Sequence, residues 1–100
     1  MLRNSLTGKQ KRFLRAMGVE LAPVVQLGKE GLTPAVVQAA REAIQKRELI
    51  KVRVLNNCLE DASDVMELLA ERCDANLVQI KGNTGLLFKR NFEKPKIELP

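Results

Sequence analysis

Histidine, tryptophan and tyrosine are absent from this 100-residue chain, and phenylalanine occurs three times. Without histidine, a Ser-His or Cys-His nucleophile pair cannot form, and the side chain that most often moves protons near neutral pH is missing. The only cysteines, Cys58 and Cys73, fall in no CxxC pattern. Two cysteines without histidine cannot close a zinc site of the usual Cys and His types, and they are expected to stay reduced thiols in a cytosol. No P-loop or dinucleotide fingerprint occurs, so neither a cofactor nor enzyme activity is expected. Long apolar runs are missing too. The opening MLRNSLTGKQKRF reaches charge without a hydrophobic stretch, and no later segment approaches the roughly 20 apolar residues that cross a bilayer. A cytoplasmic location with no membrane partner is expected.

What is present describes one globular domain: 45% of the residues are hydrophobic and 29% charged, and the length suits a modest core. Seventeen basic residues against twelve acidic ones give a formal net charge of +5, which by itself points only weakly to a polyanionic partner. Their distribution says more. Met1 to Arg15 holds five basic residues and no acid, Asn57 to Asp74 holds six acids and one arginine, and Ala75 to Pro100 holds five basic residues and two acids. Such segregation gives the folded domain a polarity that a phosphate backbone would sense.

Local patterns define the elements. Thr7 with Gln10 fits a capping box that starts a helix over about Gly8 to Met17, with Gln10, Phe13, Leu14 and Met17 facing a core and Lys11, Arg12 and Arg15 facing away. After Pro23, the run Val24 to Leu27 reads as a buried strand closed by a glycine turn holding Lys29. Thr33 and Pro34 start a second helix that ends near Arg47, with Val37, Ala40 and Ile44 inward and Leu32 and Val37 spaced as a hydrophobic staple. Alternation from Leu49 to Leu55 predicts a strand with Ile50, Val52 and Val54 on one face and Lys51 and Arg53 on the other. A third helix is expected over roughly Glu60 to Cys73, with Ala62, Val65, Leu69 and Cys73 buried. Two strands follow, Leu77 to Lys81 and Leu86 to Arg90, joined at Gly82-Asn83-Thr84-Gly85. The predicted class is α/β: a single α-β-α-β-α-β-β sandwich with a four-stranded mixed sheet covered by helices. The domain is expected over residues 1–92, with 93–100 a loosely ordered tail.

Few of these residues suggest chemistry. Glu60, Asp64, Glu67 and Glu71 recur along one side of the third helix, where a solvated acidic face accounts for them better than a cation site. Gly82-Asn83-Thr84-Gly85 is a GxxG sequence of the kind that clamps nucleotide backbones, flanked by Lys81, Lys89 and Arg90; the same four residues also suit a plain hairpin turn. Lysines and arginines commonly decorate exposed helices. Lys11, Arg12 and Arg15, Lys29, and Lys51 with Arg53, taken with that loop, nevertheless favour one shared binding surface. No aromatic is placed for stacking on bases: Phe13 reads as core, and Phe88 and Phe92 as packing residues of the last strand and its exit. Recognition is then expected to rest on backbone and shape, with steep salt dependence.

Three segments together, Leu6 to Arg15 (LTGKQKRFLR), Pro23 to Thr33 (PVVQLGKEGLT) and Lys81 to Arg90 (KGNTGLLFKR), resemble the bacterial YhbY-type proteins, stand-alone CRM domains of the chloroplast RNA splicing and ribosome maturation family. The resemblance implies a fold similar to the C-terminal domain of translation initiation factor three. It also implies RNA binding by the basic surface and the GxxG loop, and association with precursor large-subunit ribosomal RNA or particles during ribosome assembly. RNA is thus the expected partner and a monomer the expected state. The alternative is a basic module that docks on a ribosomal protein or assembly factor.

Overall fold

A computed structural model of the chain describes residues 6–100. The expected order of elements is found: α1 (Gly8–Gly18), β1 (Pro23–Leu27), α2 (Pro34–Arg47), β2 (Leu49–Val54), α3 (Ala62–Arg72), β3 (Asn76–Lys81) and β4 (Thr84–Phe88). The capping box is formed at α1, where the Gln10 amide nitrogen donates to Thr7 Oγ1 at 3.1 Å and the Thr7 nitrogen to Gln10 Oε1 at 3.0 Å. Thr33 caps α2 by accepting from the Val36 nitrogen at 3.2 Å, and Pro34 occupies the first turn. Asp61 caps α3 through the Asp64 nitrogen, so this helix starts at Ala62, two residues later than its charge pattern suggests.

The strands form one mixed sheet in the order β1-β2-β4-β3. β1 and β2 are parallel, as a crossover through α2 requires, and the other neighbours are antiparallel. Strand alternation then divides the core in two. Val25, Leu27, Ile50, Val52, Val54 and Leu87 meet α2 and α3 on one face. On the other face Leu49, Val78, Leu86 and Phe88 pack with Leu14 of α1.

Several expectations are corrected. β1 is an edge strand rather than a buried one, so only Val25 and Leu27 point inward while Val24 is 39% exposed. Phe13 and Met17 are also exposed rather than buried in the core, at 39% and 37%. The reason is Gly18: a Cβ there would stand 2.4 Å from Leu86 Cδ1, so α1 seats on Leu14 and Gly18 and turns its larger apolar residues to the flank. Phe88 is buried as expected, but Phe92 is 67% exposed.

The segment after Asn91, expected to be loose, is fastened by a residue to which no sequence pattern pointed. Glu48, the C-cap of α2, is fully buried with φ 65°. Its carboxylate accepts from the Asn91 nitrogen on Oε2 and from the Lys96 and Ile97 nitrogens on Oε1, each at 2.7 Å. Its carbonyl accepts from the Lys89 nitrogen at 2.9 Å. The tail thereby lays Ile97 and Leu99 against the α1 side of the core. Burial alone would push the Glu48 carboxyl up, but the three N–H donors and the nearby Arg90 guanidinium outweigh it and hold the group below its ordinary value.

Candidate nucleic-acid interface

The sheet face that carries α1 is only partly covered by it. Near the C-terminal end of β2 the strand register sets side chains from three strands in line: Lys51, Leu86 and Gln79 form one row, and Arg53, Thr84 and Lys81 the next. Residues paired in this way hold their Cβ atoms about 5 Å apart across neighbouring strands, so each row is a continuous strip of surface. The last turn of α1 stands over this strip. Arg15, Lys51, Lys81, Gln79, Thr84 and Leu86 border one open concavity of about 570 Å³ that has no acidic residue in its lining.

β2 shows how one sequence pattern makes both core and site. Ile50, Val52 and Val54 are buried on the α2/α3 face, and the alternation that sends them inward sends Lys51 and Arg53 to the opposite face, half-buried and exposed respectively. Among the described residues the one ion pair within 4.0 Å joins Arg90 to Glu48, so Arg15, Lys51, Arg53 and Lys81 have no carboxylate partner of their own. Lys11 and Arg12 are exposed on α1, one turn before Arg15, and extend the positive surface along the helix.

The expected GxxG loop is a tighter structure. Lys81 pairs with Thr84, leaving a two-residue turn of Gly82 and Asn83. Gly82 has φ +60° with nothing near its missing side chain, as a hairpin turn of this length demands at its first position. The Asn83 carbonyl is occupied, accepting from the Val54 nitrogen at 2.7 Å. Thr84 and Gly85 belong to β4, and Gly85 is buried: a Cβ there would lie 2.7 Å from the Met66 sulfur. The first glycine therefore serves the turn and the second serves helix packing, and only Gly82, Asn83 and Thr84 offer surface.

Lys29 lies in the turn after β1, at the same end of the sheet, where the Leu55 nitrogen donates to the Leu27 carbonyl at 2.8 Å. An acid accompanies it, because a Cβ at Gly31 would come within 2.7 Å of Glu60 Oε2. Lys89 and Arg90 are not brought to this surface. They follow the opposite end of β4, about 17 Å along the strand from Thr84. Arg90 is engaged in structure, donating to the Ile97 carbonyl at 3.0 Å and standing 5.9 Å over the Phe88 ring.

Reasoning from sequence missed Gln79 and Leu86, although the alternation of β3 already set Gln79 on the same side as Lys81. On the opposite side of the molecule, Asp64, Glu67 and Glu71 are exposed along α3. Among the described residues no three Asp, Glu, Cys or His side chains converge as a metal-holding group. Nor is any described helix long and apolar enough to cross a membrane.

Comparison with known proteins bears on the family and the fold. The family model described as the CRS1 / YhbY (CRM) domain matches residues 6–89. The "Probable RNA-binding protein YqeI" of Bacillus subtilis is 50% identical over 95 residues, covering 95% of this chain and 99% of that one. An "RNA-binding protein" of Haemophilus influenzae is 36% identical over 96 residues, covering 96% of each. The solution structure of the protein SAV1595 from Staphylococcus aureus superposes with a TM-score of 0.80 at 38% identity, covering 96% of this chain and all of that one.

Proposed function

Because the chain belongs to the CRS1/YhbY (CRM) domain family, we propose that it binds structured RNA on the face shared by α1 and the open end of the sheet, and that it does so on precursor large-subunit ribosomal particles as a monomeric assembly factor of the cytoplasm. One observation carries the reading: Arg15, Lys51, Arg53 and Lys81 meet on a surface with no acid in its concave part and no carboxylate paired to them. Unpaired cations held close together are an unfavourable arrangement unless a polyanion neutralises them, and a phosphate chain does so while releasing its counterions. Lys11, Arg12 and Lys29 widen the contact, and Gly82, Asn83 and Thr84 lie at its edge. Lys89 and Arg90 take no part, being at the far end of β4.

The test is the distribution of the tagged protein across a sucrose gradient of cell lysate at low and high salt, with the RNA of its peak fractions sequenced. Co-migration with large-subunit precursors that is lost at high salt is the expected result. Migration at the top of the gradient at low salt, with no RNA enriched, refutes the proposal.

A further inference from the structure

The concavity under the last turn of α1 holds more than charge. Beside the cations Arg15, Lys51 and Lys81, its lining includes exposed apolar surface from Ala16 and Val19, above a floor at the buried Leu86, and the carboxamide of Gln79. A rail for duplex phosphates needs the cations alone. A phosphate rail leaves the apolar wall without a match, whereas a single unpaired nucleotide complements all three: an anion, a flat apolar face, and an edge with both donors and acceptors for the amide.

Two further observations bear on the site. Neither the Gln79 amide nor the Thr84 hydroxyl makes a side-chain hydrogen bond among the described residues, so both groups face the space uncommitted. The space is also built rather than incidental. Gly18 lets α1 descend onto Leu86, which fixes how far Val19 and Arg15 stand from the strands. Its volume of about 570 Å³ falls within the range of roughly 300–1,000 Å³ typical of clefts for small ligands.

We infer that this concavity takes one unpaired nucleotide of an RNA chain, with its phosphate held by Arg15, Lys51 and Lys81, its base against Ala16 and Val19, and its base edge hydrogen-bonded by Gln79. This rests on the RNA-binding reading above and narrows it: the preferred target is a bulge or loop rather than an uninterrupted duplex.

Two RNA hairpins with the same stem provide the test, one fully paired and one carrying a single unpaired 2-aminopurine, each titrated with the full chain by fluorescence anisotropy. The bulged hairpin is expected to bind roughly 10-fold tighter, the effect of one well-made base contact, with a change in 2-aminopurine emission on binding. Gln79→Leu is expected to cut the ratio of the two affinities to about twofold or less while the slope of log affinity against log salt stays that of the parent, since the cationic phosphate contacts persist. Val19→Glu, at a position 79% exposed and so without risk to the fold, weakens the bulged hairpin more than the paired one. Equal affinity of the unaltered protein for both hairpins overturns the inference while leaving RNA binding in place. Binding to neither hairpin at low salt removes the broader reading and this inference with it.

Discussion

Replacing Glu48 by Gln is a one-atom change in a buried cluster, and its cost follows from the hydrogen bonds. One carboxylate oxygen serves the Lys96 and Ile97 nitrogens and the other serves Asn91. An amide keeps a single oxygen. Turned to its best orientation it retains the paired donors of Lys96 and Ile97, now as neutral bonds, and sets an NH2 group against the Asn91 N–H. Losing one bond to a charged acceptor costs about 1–3 kcal/mol, and weakening two others adds about 0.5–1 kcal/mol each, so a total of about 2–5 kcal/mol is expected. For a domain of this size that corresponds to a fall of roughly 10–25 °C in Tm. Urea denaturation gives the free energy, and amide hydrogen exchange locates it: protection falls first at Asn91, Lys96 and Ile97 if the tail opens separately from the sheet. The pH dependence has a definite sign. The folded carboxyl lies below its ordinary value, so its contribution is complete above the unfolded pKa of about 4.3 and is lost as pH falls through the folded value. Glu48→Gln flattens stability against pH in that acidic window. A variant within 0.5 kcal/mol of the parent, with exchange at Asn91, Lys96 and Ile97 unchanged, would refute the reasoning.

The two glycines of the GxxG sequence separate cleanly. Gly85→Ala forces its Cβ toward a fully buried Met66 and is expected to destabilise by about 1–3 kcal/mol in chemical denaturation, whereas Gly82→Ala meets open space and bears only the cost of positive φ, about 1 kcal/mol. Equal losses at the two positions would contradict the assignment of turn to one and packing to the other. Lys51→Ala with Arg53→Ala lowers the slope of log affinity against log salt for RNA by about 1–2, while Lys89→Ala leaves it unchanged. In a thiol-reagent time course Cys58, which is half-buried, reacts before Cys73, whose thiol is buried and pushed up in pKa by that burial.

Much of the fold was legible because local chemistry and tertiary structure agree in it. Thr7 with Gln10, and Thr33 with Pro34, each mark a helix start without reference to the rest of the chain, and alternation in β2 gives strand and burial together. The errors occur where a long-range contact decides. Gly18 does not announce that Leu86 will lie against it, so the apolar stripe of Phe13 and Met17 reads as core. Glu48 looks like any charged helix end, because its partners lie more than forty residues away. The site was legible in part for the same reasons. Lys51, Arg53 and Lys81 follow from strand alternation, and Arg15 from helix periodicity, but their meeting depends on the register of β2, β4 and β3. Lys89 and Arg90 are near the turn in sequence and far from it in space, since β4 carries them away.

The net charge of +5 understates what an approaching phosphate chain meets. The acids of α3 lie behind the sheet and a helical layer about 10 Å across, while charge in solution is screened over about 8 Å at physiological ionic strength. Asp64, Glu67 and Glu71 therefore subtract little from the potential at Arg15, Lys51, Arg53 and Lys81, although they subtract fully from the sum. The sheet imposes this separation, because α1 packs on one of its faces and α3 on the other. The acidic run between Asn57 and Asp74 is thus compatible with a strongly positive face on the same small domain. It also orients the molecule, since the acidic side turns away from any polyanion that the basic side engages.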